Sequence, residues 1–221
     1  MRTVWLLVWK DLVVEARTRE LLSSMSLVAF LAVVIFGIAV GAEPSLASAA
    51  TPAVLWITVA FGATLGLARA HALEQERGAL QGILLTPVSR AAVFLGKWAA
   101  NVILIFALQL VVVVVTAVLI NPAVMQHWLL IAPLGLGAPG FAAVGTLLGA
   151  MTATTRLREV LLPILLLPVV LPVVIVSIAA ISLILDGAGL EALAGPLKVL
   201  TAYDLVFVIL GMWLFEYVVT E

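Results

Sequence analysis

Few residues in this chain could do chemistry. Histidine occurs twice in 221 residues, as His71 and His127, and cysteine is absent. A metal site needs several converging His, Cys, Asp or Glu side chains, and nucleophilic catalysis needs a nucleophile within reach of a base. Two distant histidines and no cysteine offer neither, and disulfides and thioether attachment of a cofactor are excluded. His127, followed by Trp128, lies in a short connection and reads first as a polar loop residue capping the next helix. His71, three residues before Glu74, reads as structural.

The carboxylates are more informative. Asp204 and Glu216 fall in the last apolar run, about 18 Å apart at 1.5 Å per helical residue. Acids inside a membrane are costly and are retained for function or pairing. Ion pairing or subunit contacts read ahead of a transport path. Glu159, beside Arg156 and Arg158, reads as an interface residue. The densest polar stretch runs from Arg69 to Arg90. It opens with Glu74, Glu76, Arg77 and Gly78, passes to Leu80, Ile83 and Leu84, and stops at Thr86-Pro87 before Arg90. Pro87 turns Thr86 away from helix, so a short amphipathic helix is expected to end there. Such a helix either rests on lipid or inserts into a groove of a soluble partner.

The elements that position these residues follow from composition. The chain is 65% hydrophobic and 10% charged, where soluble domains carry about 25% charged residues. A water-soluble enzyme and a disordered chain are both excluded, and a net charge of −1 gives no reason to expect nucleic acid. Six apolar segments, about 21–41, 51–68, 98–120, 129–151, 160–185 and 199–219, are each long enough to cross roughly 30 Å of hydrocarbon. The period-2 alternation of barrel strands is missing. The expected fold is an all-α membrane bundle of six transmembrane helices in one domain, 1–221. Residues 1–20 add an amphipathic surface helix carrying Trp5, Val8, Trp9, Leu12 and Ala16 on one face, and 74–90 add a cytoplasmic helix. The uncharged run 3–9 is too short for a cleavable signal. All the Lys and Arg except Lys198 lie on one side of the six spans, which places both termini in the cytoplasm. Gly37/Gly41, Gly62/Gly66 and Gly145/Gly149 are spaced for close helix crossings. Pro163, Pro168 and Pro172 predict a kinked fifth span.

The stretch Glu76-Arg-Gly-Ala-Leu-Gln-Gly-Ile-Leu-Leu-Thr-Pro-Val-Ser-Arg90 resembles the coupling helix of type-2 ABC transporter membrane subunits. Further stretches make the chain look like CcmB, the membrane subunit of the cytochrome c maturation (haem exporter) ABC complex. They are Trp9-Lys-Asp-Leu, Arg17-Thr-Arg-Glu20, Phe94-Leu-Gly-Lys97, Gly140 to Gly149, Arg158 to Pro163, Tyr203 to Phe207, and Phe215-Glu-Tyr217. The resemblance implies a permease-type subunit of the inner membrane that is no ATPase itself. Gly96-Lys97-Trp98 indeed lacks the glycine-rich lead and following Ser or Thr of a phosphate-binding loop. It implies no firmly bound cofactor, haem as a handled ligand that His127 and Trp128 could contact (helix capping reads ahead of haem ligation for His127), and ATP only through a partner. The implied partners are a CcmA-like ATPase docking on 74–90, CcmC-like and CcmD-like membrane subunits, a CcmE-like haem chaperone, and a second copy of the chain. A permease exporting a drug, lipid or polysaccharide is the alternative.

Overall fold

A computed structural model describes residues 2–41, 43–76, 82, 88–152, 155 and 157–220. Most of these are helical, with no strand among the described residues. The order is α1 (Arg2–Thr18), α2 (Glu20–Val40), α3 (Pro44–Glu76), α4 (Arg90–Leu119), α5 (Ile131–Thr152), α6 (Arg158–Leu185) and α7 (Leu190–Thr220). Two short 3-10 turns, Pro122–Gln126 and Trp128–Leu130, link α4 to α5. Helices α2 to α7 are long and apolar enough to cross a membrane, with α5 extended by its preceding turn.

The helices outrun the apolar segments that predict them. At 33 residues, α3 is about 50 Å long, well beyond roughly 30 Å of hydrocarbon. Its C-terminal turns, with Arg69, His71 and Glu74, therefore stand past the apolar core on the side of the 74–90 segment. Helix α4 likewise begins eight residues before the apolar run at Trp98, and α7 nine residues before Val199. Lys97 and Lys198 interrupt hydropathy without interrupting backbone hydrogen bonding.

The ends are set locally. Between α1 and α2 the chain turns at Arg19, whose φ of 54° is left-handed. Arg19 offers no side-chain cap. The carboxylate of Glu15 instead reaches forward to accept the Leu22 amide at 2.8 Å and the Leu21 amide at 3.3 Å. An acid at a helix N-terminus satisfies orphan donors and meets the positive end of the helix dipole. Helix α4 starts with Ser89, whose Oγ accepts from the Ala92 amide. Gly41 ends α2 at a φ of 66°, which glycine adopts without strain.

Helices α3 and α5 form the centre. Trp56, Val59, Ala63 and Leu67 of α3 pack with Ile105 and Leu108 of α4, Phe141 and Ala142 of α5, and Leu162 and Leu166 of α6. A smaller cluster joins Val93 and Phe94 of α4, Ala143 and Leu147 of α5 and Phe215 of α7, with Leu7 of α1 against it. Lipid tails are as apolar as leucine, so close approach rather than hydrophobic burial drives this packing. Glycines provide it. An added Cβ would overlap Leu67 at Gly145, His71 at Gly149, Met25 at Gly66 and Phe94 at Gly211. The 62/66 and 145/149 pairs thus mark close crossings, whereas Gly41 has nothing within 4 Å and serves as a helix stop. Pro163, Pro168 and Pro172 all lie inside one assigned helix, α6.

Helix α1 buries Val8 and Glu15 and packs on α4, leaving Trp5 and Trp9 62% and 58% exposed. The predicted common face is therefore divided. Val8 turns to the bundle, and the two indoles remain for the membrane interface, where such rings concentrate.

Candidate coupling site

The 74–90 segment links α3 to α4 in the sequence. Arg77, Gly78, Leu80, Ile83, Leu84, Thr86 and Pro87 lie outside the described residues, as does the Glu76 side chain. Arg90 is the first residue of α4. Glu74 stands two residues before the end of α3, and its Oε1 pairs with the Nζ of Lys97, one of the buried residues of α4. The two side chains are only 15% and 9% exposed. The Glu74 carboxylate thus faces across to α4.

Other bonds fasten the same level of the bundle. One turn before Glu74, the His71 ring fills a notch that a Cβ on Gly149 would occupy. Its Nδ1 lies 2.8 Å from the Leu67 carbonyl, which can only accept, so this nitrogen carries the proton. One turn after Lys97, Asn101 donates from Nδ2 to Thr146 Oγ1 of α5 at 2.9 Å. Beside Lys97, an added Cβ on Gly96 would press on Leu7 of α1. Arg69 pairs with Glu20 at 2.6 Å and ties α3 to the start of α2. A cavity of about 290 Å³ opens between α1, α3 and α4, with Lys10, Glu15, His71, Glu74 and Lys97 in its walls. The long extension of α3, the surface helix and the root of α4 are thereby one connected unit.

Deeper bonds were missed by reading the sequence for charge alone. Trp98 donates from Nε1 to the Pro139 carbonyl at 2.9 Å, and Gln109 donates to the Leu134 carbonyl at 3.2 Å. Asn101 and Gln109 inside an otherwise apolar run were the available signal, because polar side chains in a span seek partners on neighbouring helices.

The remaining sequence-predicted residues are dispersed. His127 sits in the bend between the two 3-10 turns, and Trp128 beside it is 72% exposed. The turn is held by Asn121, which accepts the Ala123 amide at 3.1 Å and donates to Thr51 at 3.2 Å. His71 and His127 are far apart along the bundle, and no group of three or more His, Asp or Glu side chains converges among the described residues. The Glu159 side chain lies outside the described residues. Glu216 is on an exposed face of α7 near Trp213 and Tyr217, whose rings meet edge-on at 6.0 Å.

Asp204 is midway along α7, with Oδ1 buried against Gly140 of α5 and without a hydrogen-bond donor among the described residues. Its neighbour Tyr203 donates to the Val169 carbonyl of α6 at 2.8 Å. A part-buried carboxylate with no cationic partner among the described residues loses little when neutralised by an isosteric amide. Asp204→Asn is therefore expected to hold the thermal midpoint of the purified chain within about 2–4 °C of wild type, the span of ~1 kcal/mol at this size. A larger fall, measured by scanning fluorimetry in detergent, would show that the charge itself is used.

With this geometry in view, residues 2–219 match the sequence model of the CcmB protein family. The chain is also 26% identical over 173 residues to the Heme exporter protein B of Haemophilus influenzae, a match covering 78% of this chain and 76% of that protein. A family match over nearly the whole length places this multi-pass membrane chain in the CcmB family.

Proposed function

We propose that this chain is the membrane subunit of a haem-exporting ABC transporter serving c-type cytochrome biogenesis. The observation that carries the reading is the family match over residues 2–219, on a bundle of six membrane-length helices. In this reading the chain hydrolyses no ATP. A separate ATPase subunit docks on the 74–90 segment, where α3 and α4 reach past the apolar core, with Glu74 turned to Lys97 of α4 instead of to the ATPase. The ATP-driven step serves either haem export or the release of a haem-loaded chaperone. The exposed face of α7, with its Trp213 and Tyr217 rings, remains for lipid or for neighbouring membrane subunits. A second copy of the chain completes the permease.

Ten of the eleven basic residues lie in the N-terminal segment and in the connections after the second and fourth spans. By the positive-inside rule these face the cytoplasm of the inner membrane, and both termini with them. That is also the side on which ATP is available. Haem enters as cargo. If haem meets this chain outside the bundle, His127 and Trp128 at the opposite end are the side chains within its reach.

Gentle detergent extraction of the chain, with identification of the chains that come with it, tests this directly. An ABC ATPase subunit and cytochrome c maturation components are the expected companions. Recovery of an ATPase with drug, lipid or polysaccharide export partners instead would overturn the assignment to haem.

A further inference from the structure

We propose that Glu74 and Lys97 form a clamp that ties together the two ends of the docking segment, so that movement imposed on it reaches α3 and α4 as one unit. The inference rests on the functional reading above and adds the element that makes docking mechanically useful.

The described helices on either side of the segment are α3, ending at Glu76, and α4, starting at Arg90. The Glu74–Lys97 pair joins these two helices directly, from two residues before the end of α3 to seven residues after the start of α4. It is nearly shielded from solvent and links residues 23 apart in sequence.

Its surroundings pass movement inward. On α3, the His71 ring seated at Gly149 couples the pair to α5. On α4, Asn101 reaches Thr146 of α5, and Gly96 receives Leu7 of α1. A displacement of the clamp thus acts on three other contacts within one helical turn. A buried ion pair adds little net stability, because desolvation offsets attraction, but it fixes one arrangement against alternatives. That property suits a clamp better than a stabiliser. Glu74 and Lys97 are positioning residues: neither needs to touch the ATPase or the cargo.

The test uses the whole complex, co-expressed and purified from membranes. Three quantities are read: ATPase subunit retained, ATP hydrolysed, and haem attached to cytochrome c per ATP. Lys97→Met is expected to retain the ATPase subunit and ATP hydrolysis. Haem attachment per ATP should fall roughly tenfold, within the 5–150-fold range of typical coupling energies. The exchange Glu74→Lys with Lys97→Glu restores the pair in reverse and should return coupling to within about twofold of wild type, a residual well under the 1.4 kcal/mol of a tenfold change. If Lys97→Met fails to accumulate, Lys97→Gln makes the same comparison while keeping an N–H donor for Glu74.

A paired-charge variant that assembles yet stays uncoupled overturns the clamp. So does an unpaired variant that attaches haem per ATP at the wild-type level. Absence of an ATPase subunit from the unmodified complex overturns the functional reading beneath it, and the clamp falls too.

Discussion

Replacing Leu80 with Asp, or Gly78 or Pro87 with Leu, is expected to strip the ATPase subunit from the purified complex and abolish cytochrome c maturation. Leu80, Ile83 and Leu84 are apolar residues in a polar-flanked segment outside the spans, and a docking groove is what would bury them. Full burial of a leucine is worth about 1.5–3 kcal/mol, or roughly 10- to 150-fold in affinity at 1.4 kcal/mol per decade. An aspartate at position 80 forfeits that gain and adds the desolvation of a charge. Leucine at position 87 removes the constraint that ends the segment after Thr86. Leucine at position 78 adds bulk at the junction between the charged and apolar halves. Pull-down yield of the ATPase subunit and haem staining of c-type cytochromes are the measurements. Both should drop together while the chain remains in the membrane. Unchanged yields for all three would remove the segment from the docking role.

The second large effect concerns the glycine notches. Gly137→Leu should prevent stable accumulation of the chain, and Gly149→Leu should do the same. At position 137 even a Cβ would overlap the fully buried Trp56 ring, and at 149 it would overlap His71. Overpacking costs about 1–3 kcal/mol where neighbours can shift, and a rigid indole held between helices leaves little room to do so. Gly135 supplies the control on the same helix, because a Cβ there meets nothing within 4 Å. Gly135→Leu should accumulate as wild type does. Membrane abundance and detergent melting of the three variants decide it, and equal behaviour at positions 135 and 137 would contradict the packing described here.

How much was legible in the sequence varies with the kind of signal. The six spans were plain because runs of apolar residues longer than a membrane is thick have few other uses. Helix ends were not, because Lys97 and Lys198 break hydropathy while the backbone continues through them. The Gly145/Gly149 pair read correctly as a close crossing, but the same spacing at Gly37/Gly41 ends in a helix stop. Spacing does not report φ. Glu15 stands in the surface-helix segment 1–20 with nothing in its local sequence to mark it, and only the turn at Arg19 brings it onto the amides of α2.

Glu74 illustrates the limit most clearly. Its place in the sequence puts it among the docking residues, and its partner Lys97 is 23 positions away on the helix that follows. Local pattern carries no information about that contact. Asn101 and Gln109 were better marked, since a polar side chain in a span has to find a partner within the bundle.

The central claim, that this chain carries the membrane step of haem delivery to c-type cytochromes, is tested most directly by covalently bound haem in cells from which the chain has been deleted. The account predicts that c-type cytochromes lose their attached haem, that other haem proteins keep theirs, and that the unmodified chain alone restores the loss. Normal haem attachment in the deleted cells would contradict it.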